Sequence, residues 1–319
     1  MNVRTFLVLG GTGFVGSHLT AALVAAGHTV RLPTRHPERA AALRILPGVE
    51  LLRADVHDPV TLAGCARGAD VLINLVGILN EHGRAGTGFR RAHVELAVKA
   101  VNACRSAGVP RLLHMSGLPA ATDGPSYYLR SKGEAEAVVR AATDLAVTIF
   151  RPSVIFGRGD SFLNRFAALL GPLPVLPLAR IDARLQPVYV GDVVAAFCRA
   201  AHDSATHGRS YDLVGPEVMT LGEIVRYVRD RLGLRRAVFG LPDALGALQA
   251  GLLEWLPGKP LSLDNFRSLG VPSTSDRDGL AELGIERTPL AAIAPTYLGD
   301  DARTARLMRN RSGSRTRKV

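Results

Sequence analysis

Tyr128 and Lys132 stand four residues apart in the stretch SYYLRSKGEAE, and they are the residues of this chain best suited to moving a proton. On a helix, a pair spaced i, i+4 shares one face. An ammonium beside a phenol favours the phenolate, so Lys132 is expected to lower the pKa of Tyr128. Tyr128 would then exchange a proton with a carbonyl or hydroxyl near neutral pH. Lysine is scarce: the chain has four, and Lys132 is the only one between positions 100 and 258. The alternative is a surface tyrosine beside a solvated lysine. Tyr127, one register off, is read as a packing residue.

The stretch LVLGGTGFVGSHL, residues 7–19, carries a second pattern. Gly10, Gly13 and Gly16 follow an apolar run that ends like a buried strand, and they open a segment with helical periodicity. In that context Gly10 permits the tight turn, and Gly13 lets bare backbone approach a pyrophosphate. Gly16 lets the helix sit close on the sheet. Unpaired N–H groups and the positive helix end then face phosphates, so Gly10, Thr12, Gly13, Phe14, Val15 and Gly16 are the expected dinucleotide contacts. Without a ligand the same residues make an ordinary strand–turn–helix.

The end of the second strand selects between dinucleotides. An NAD site places an acidic residue there for the ribose 2′-hydroxyl. The sequence reads Leu32-Pro33-Thr34-Arg35-His36, with no carboxylate. Arg35, helped by Thr34 and Arg53, suits a 2′-phosphate, so NADP(H) is expected over NAD(H). Arg35 also reads as a solvated loop arginine. Asp55, closing the third strand, suits the adenine amino group or else a turn. Val56 beside it, and Leu75, Val76 and Gly77 after the fourth strand, complete the expected cofactor contacts, and Lys132 is placed to bond the nicotinamide ribose.

These residues need a scaffold, and the alternation supplies one. Strands are predicted at 3–9, 29–35, 49–55, 69–77, 110–117 and 146–157. Helices are predicted at 14–27, 37–43, 89–108 and 126–142, with a short one at PVTLAGCARG. Close alternation over 150 residues argues for an α/β, doubly wound parallel sheet (Rossmann) with a smaller, mostly helical C-terminal substrate region. The dinucleotide-binding domain is expected over 1–155, with 188–215 returning to it. The substrate region takes 156–187 and 216–297, and 171–187 reads as proline-rich and irregular. A basic, disordered tail follows at 298–319.

Composition sets the outer limits. The chain has 319 residues, 47% hydrophobic and 21% charged, as an ordinary globular protein does. Three scattered cysteines argue against a disulfide framework or zinc site and fit a reducing compartment; no metal site is expected. No uninterrupted apolar run reaches 18 residues, and FLVL is too short for a signal peptide, so the expected location is cytoplasmic. Net charge is +11, and the segment 301–319 holds six Arg and one Lys against one Asp. That tail suits an anionic lipid surface, nucleic acid or an acidic partner, or only keeps the chain soluble. The stretch LPDALGALQAGLLEWLP (241–257) is apolar around most of its circumference. It is read as a core helix or pocket wall, with peripheral membrane docking as the alternative. His82, Arg84 and Arg90 lie in a glycine-rich loop that faces either an anionic substrate or solvent. Asp192 is expected to cap a helix.

Taken together, GGTGFVG, Y-x-x-x-K, RPSVIFG and QPVYVGDVV resemble an extended short-chain dehydrogenase/reductase. NLVGIL, YLRSKGEAE, RPSVIFGRGDSFLNRF, GLPDAL and LPGKPLSLDN resemble the atypical branch. That branch includes the NADPH-binding accessory subunit of respiratory complex I and its bacterial relatives. The likeness spans roughly residues 4–297. It implies bound NADP(H), Tyr128 and Lys132 as the catalytic pair, and Pro152, Ser153 and Val154 flanking the nicotinamide. It also implies a serine or threonine just after the fifth strand. Here Ser116 falls at or just before that slot, which holds Gly117 or Leu118, and Ser126 is a substitute. Three functions stay open: an oxidoreductase acting on a hydrophobic or quinone-like carbonyl, a cofactor-carrying accessory protein of a membrane respiratory complex, and a nucleotide-sugar epimerase or dehydratase. The expected partners are a dinucleotide, a small-molecule substrate, and a membrane surface or membrane complex; nucleic acid is the least expected.

Overall fold

The computed structural model describes residues 3–81, 83–256 and 259–298, so His82 and nearly all of the basic tail lie outside the described residues. The strands in chain order are β1 (Thr5–Leu9), β2 (Thr29–Thr34), β3 (Val49–Arg53), β4 (Val71–Asn74), β5 (Arg111–Met115) and β6 (Ala146–Pro152). Then come β7 (Ile155–Phe156), β8 (Val175–Ala179), β9 (Arg184–Leu185), β10 (Val188–Tyr189), β11 (Arg209–Leu213), β12 (Met219–Thr220) and β13 (Ala237–Leu241). Seven of them form one parallel sheet, ordered β11-β6-β5-β4-β1-β2-β3. The α-helices among the described residues are α1 (Phe14–Ala25), α2 (Ala41–Arg44), α3 (Pro59–Ala66), α4 (Thr87–Phe89), α5 (Leu96–Ala107), α6 (Tyr127–Arg140), α7 (Phe162–Leu170), α8 (Val190–His202), α9 (Leu221–Arg231), α10 (Asp243–Leu253), α11 (Leu263–Ser268), α12 (Gly279–Glu282) and α13 (Leu290–Ile293).

Both sheet faces are covered, which is why β1 reads as an unbroken apolar run rather than an alternating one. Phe6 and Val8 pack with Leu19 of α1 and Val193 and Phe197 of α8. Leu7 and Leu9 point the other way, to Leu62 of α3, Leu96 and Ala100 of α5 and Val139 of α6. Strand order reverses between β1 and β4, so a crevice opens beyond their carboxyl ends, where open α/β sheets bind ligands. A separate core holds the C-terminal region: Phe156, Leu163, Leu170, Leu178, Ile224, Val228 and Tyr297.

The structure departs from expectation in four places. The proline-rich stretch 171–187 is not irregular: β8 pairs in parallel with β13, a strand inside a stretch read as helical. Pro177 fits because this ribbon has only two strands, so its missing N–H leaves no central ladder broken. The long helix expected at 89–108 begins as α4 and passes through a π-helical turn at Arg90–Glu95 before α5. Asp192 does not cap α8, whose N-cap is Tyr189. Its carboxylate accepts from the backbone N–H and hydroxyl of Thr288, at 2.8 Å each, and ties that segment to α8. Finally, α10 is not a core helix, since it buries Gly246 and Ala250 and leaves Leu245, Leu248 and Leu252 exposed.

A Cβ on Gly16 would lie 2.3 Å from the Gly10 carbonyl oxygen and 2.5 Å from Gly11 Cα, so α1 rests on loop backbone that cannot swing aside. The expected cost of Gly16→Ala is about 1–3 kcal/mol. Gly64 in α3 has nothing within 4 Å of the same position, so Gly64→Ala is expected to stabilise by about 0.5–1 kcal/mol. Urea-denaturation midpoints of the two variants check both signs.

Candidate functional site

The crevice is built first by the loop after β1. Gly10 has φ +76°, and a Cβ there would meet the Leu75 carbonyl carbon and Val76 N at 3.2 Å. The loop therefore needs glycine both for its left-handed turn and for contact with the chain after β4. Gly13 is the N-cap of α1; its N–H bonds the Gly10 carbonyl at 3.0 Å, and its own carbonyl receives Ser17 N–H at 2.9 Å. The first amides of a helix have no intrahelical acceptor, and the first turn of α1 carries no acidic residue. Thr12 and Gly13 are exposed, Phe14 is half-buried, and Val15 and Gly16 are buried. Gly11 went unremarked in the sequence; a Cβ there would reach Leu32 Cδ2 at 2.4 Å. The 157–160 turn lies over the start of α1, with His18 Nε2 at 3.0 Å from the Arg158 carbonyl oxygen and Phe14 facing Gly159.

At the far edge, Thr34 and Arg53 are cross-strand neighbours, and Arg35 follows them, exposed. A carboxylate stands here after all, which scanning the end of β2 missed. The turn after β2 brings Glu38 back to within 3.2 Å of both Arg53 Nη2 and His36 Nδ1. Asp55 is exposed and accepts the His57 N–H at 3.0 Å, as a turn residue does, while Val56 packs against the core. Leu75 is buried and bonded to β1, Val76 N–H is held by the Asn74 side chain, and Gly77 lies directly before Lys132.

The other wall is α6. Ser126 caps it, accepting from Leu129 N–H at 3.1 Å and from the Ser268 hydroxyl, so it is not a free substitute for the absent serine. Asp264, at the start of α11, accepts the Tyr127 and Tyr128 N–H groups at 2.7 and 3.1 Å. A carboxylate at a helix N-terminus also favours the dipole. The C-terminal region thus fixes the helix that carries the tyrosine and lysine. Lys132 is buried; Nζ donates to the Met115 carbonyl at 3.1 Å and would sit 3.2 Å from a Cβ on Gly77. Burial lowers its pKa to about 8, partly offset by Glu136.

The Tyr128 ring packs edge-on against Phe89 and His93, and its hydroxyl lies 3.3 Å from where a Gly117 Cβ would be. Its pKa moves opposite to the sequence expectation. Burial pushes the phenol up, to about 12, because the charged form loses its solvation. Lys132 does not compensate, since its ammonium is directed at Met115 and Gly77.

Two buried histidines complete the site, and sequence reasoning missed both. His93 lies on the π-helical turn; its Nε2 accepts Ile78 N–H at 3.1 Å. Nδ1 therefore carries the proton and donates to Ser131 Oγ at 2.8 Å, and Ser131 donates to the Tyr128 carbonyl. Burial, then Lys132, holds His93 neutral, with a pKa of about 2. One ring thus joins the chain after β4 to α6. His114 accepts from Asn74 Nδ2 at 3.3 Å and is pushed to about 3 by burial, then by Lys132; its Nε2 has no partner. Ser116 is also buried, and its Oγ is unpaired. Gly117 is a direct neighbour of the Tyr128 hydroxyl. The Pro152 carbonyl accepts Leu118 N–H, Ser153 Oγ is engaged with Ser273 and Gln186, and Val154 packs into the C-terminal core.

A cavity of about 120 Å³ adjoins Tyr127 and Phe89. Its polar lining includes Glu81, Arg84, Glu254, Lys259, Asp264 and Arg267. Glu81 accepts Gly86 and Gly88 N–H, shaping the loop after β4. Arg84 reaches this cavity, whereas Arg90 pairs with Glu134 on the surface.

The NAD(P)H-binding family matches residues 10–160. A mouse protein named NADH dehydrogenase [ubiquinone] 1 alpha subcomplex subunit 9, mitochondrial, is 31% identical over 89% of this chain and 76% of its own. A Caulobacter vibrioides protein named ceramide reductase is 33% identical over 77% and 76%. The chain belongs to the atypical extended short-chain dehydrogenase/reductase family. Its fold matches a Streptomyces venezuelae dTDP-glucose 4,6-dehydratase solved with NAD, with TM-score 0.72 at 20% identity, over 92% of this chain and 95% of that one. This family member is an NAD(P)-binding, oxidoreductase-like protein, and its crevice fits the dinucleotide. A glycine cradle open to solvent meets unpaired helix amides at one end, and a lysine ammonium faces Gly77 at the other.

The lysine gives a test with a definite sign. Its pKa of about 8 in the folded chain lies below the ordinary 10.5. Below pH 8 both folded and unfolded states hold the proton and the whole burial cost is felt; the cost fades as pH rises from 8 to 10.5. Lys132→Met is therefore expected to stabilise the ligand-free protein by about 1–3 kcal/mol at pH 7. The gain should shrink towards pH 10.5, read from urea midpoints across that range.

Proposed function

We propose that this protein is an NADP(H)-dependent oxidoreductase acting on the carbonyl of a hydrophobic substrate, or on the corresponding alcohol. The observation that carries it is the convergence of Tyr128, Lys132 and Gly117 at the end of the crevice that the glycine loop opens. The dinucleotide, when bound, supplies or accepts the hydride at the substrate carbon. Tyr128 Oη gives its proton to the carbonyl oxygen in reduction, and takes one back in oxidation. A phenol that stays protonated suits the reductive direction at neutral pH. Lys132 Nζ holds the nicotinamide end through a ribose hydroxyl and stabilises the phenolate left behind. Arg35 and Arg53 favour a 2′-phosphate at the other end, against the opposing charge of Glu38. The name of the Caulobacter relative, a lipid reductase, supports an apolar substrate. With Gly117 or Leu118 in the serine slot and the Ser116 hydroxyl buried, Tyr128 is the donor next to the reacting oxygen.

That same glycine favours a second reading, a cofactor-carrying accessory protein, in line with the name of the mouse relative. Cofactor exchange separates the two: an oxidoreductase releases oxidised dinucleotide in each cycle, while a carrier retains what co-purifies. Tyr128→Phe is expected to lower kcat by about 10²–10⁴-fold and to leave dinucleotide affinity unchanged by calorimetry. Full turnover in that variant overturns the catalytic role. Arg35→Ala is expected to weaken NADPH binding roughly tenfold while sparing NADH; equal losses refute the 2′-phosphate assignment.

A further inference from the structure

The helix α10 is amphipathic the wrong way round for a surface helix. Its inward face is Gly246 and Ala250, one turn apart, and its outward face is Leu245, Leu248 and Leu252. Leu248 is 59% exposed and Leu252 64%. The helix cannot roll to bury them. A Cβ on Gly246 would meet Phe266 Cε2 at 3.0 Å and Ala179 Cβ at 3.1 Å, so the slot beneath α10 accepts small residues only. Arg180 locks this arrangement, pairing with Asp243 at 2.8 Å and lying over the Phe266 ring, while Gln249 bonds the Pro177 carbonyl. The stripe continues past the helix end into Leu256, 49% exposed, and Trp255, 76% exposed. The slot was settled with leucines facing out, at a standing cost in exposed apolar surface.

What covers the stripe is indicated by its rim. The Arg84 guanidinium lies 4.5 Å over the Trp255 ring. Arg84 and Lys259 both lie beside Glu254, at 3.8 and 3.9 Å, and Lys259 Nζ also donates to the Glu81 carbonyl at 2.7 Å. A leucine stripe ending in tryptophan, with basic groups at its edge, matches a bilayer interface: apolar side chains at the acyl boundary, Trp and Arg at headgroup depth. The charge agrees, because the chain carries +11, and its last nineteen residues hold six Arg and one Lys against one Asp. Such a segment adds attraction to anionic lipid.

We infer that the face formed by Leu245, Leu248, Leu252, Trp255 and Leu256 docks this protein on an anionic lipid bilayer. Arg84 lines the cavity beside Tyr127 and also covers Trp255, so docking there brings that cavity's rim to the membrane surface. None of the described helices is long and apolar enough to cross a membrane, and docking needs none. The inference is independent of the oxidoreductase reading, because its readout is binding rather than turnover.

Trp255 is the only tryptophan, so tryptophan emission, excited selectively from the six tyrosines, reports on this face alone. With the full-length chain, adding phosphatidylcholine vesicles containing phosphatidylglycerol is expected to shift the emission to the blue. Lipids brominated along the acyl chain should quench it. The double variant Leu248→Glu, Leu252→Glu is expected to bind the same vesicles about tenfold more weakly, or worse, in co-sedimentation. Vesicles that pellet the wild type without moving Trp255 emission would assign binding to the tail and overturn the docking face. So would no binding at low salt, or a variant that binds as well as the wild type. A wild-type dimer that the double variant converts to monomer would give the stripe to a second copy of the chain, and the inference would fail.

Discussion

Close approach of bare backbone, at Gly10 and Gly16, is the constraint from which the site follows. Gly10 presses on Leu75 and Val76, and Gly16 presses on Gly10 and Gly11. The loop after β1, the start of α1 and the chain after β4 are thereby packed without side chains between them. Only this leaves the helix amides facing an open crevice instead of a neighbouring side chain. Strand order then decides what else reaches the crevice: with β4 beside β1 and β5 beside β4, the carboxyl ends of all three meet there. Gly77, Met115 and Gly117 arrive as direct continuations of β4 and β5, and α6 brings Tyr128 and Lys132 against them.

Burial sets the electrostatics of this region. Lys132, His93 and His114 are buried within electrostatic reach of one another, and each is shifted towards its neutral form. In that medium an ammonium is costly until an oxygen-rich ligand shares its charge, and a neutral imidazole is cheap and rigid. His93 exploits the second property. It ties Ile78 to Ser131 and so to Tyr128, without a charge that would compete with Lys132. The π-helical turn around it is a local distortion of the kind that recurs at functional sites.

The C-terminal region belongs to the same machine. Asp264 holds the first amides of α6, Ser273 is bonded to Ser153 and to the Leu118 carbonyl, and Tyr297 donates to Asp160 at 2.6 Å. These bonds join it to the ends of β5, β6 and β7, all at the carboxyl edge of the sheet. Motion of α11 would therefore be felt at the helix that carries the tyrosine. The outward leucines of α10 face away from a small cluster of Ala179, Ala250 and Phe266 beneath that helix.

Much of this was legible in the chain itself. Periodicity gave the alternation and hence the parallel sheet, because apolar runs and helical spacing are local properties. The glycine loop and the Tyr128–Lys132 pair were legible for the same reason: each is a fixed spacing on one element. What depended on distant segments was not. Glu38 returns to the edge of β2 through a turn, Asp264 caps a helix more than a hundred residues upstream, and His93 meets Tyr128 across two elements. The pKa of Tyr128 went the other way because only the folded chain fixes where the lysine ammonium points and how much water the phenol loses. Likewise the sequence determined that α10 is apolar, while the fold decided which of its faces is buried. The slot between Ala179 and Phe266 admits Gly246 and Ala250, and steric fit there outweighed the burial of leucine.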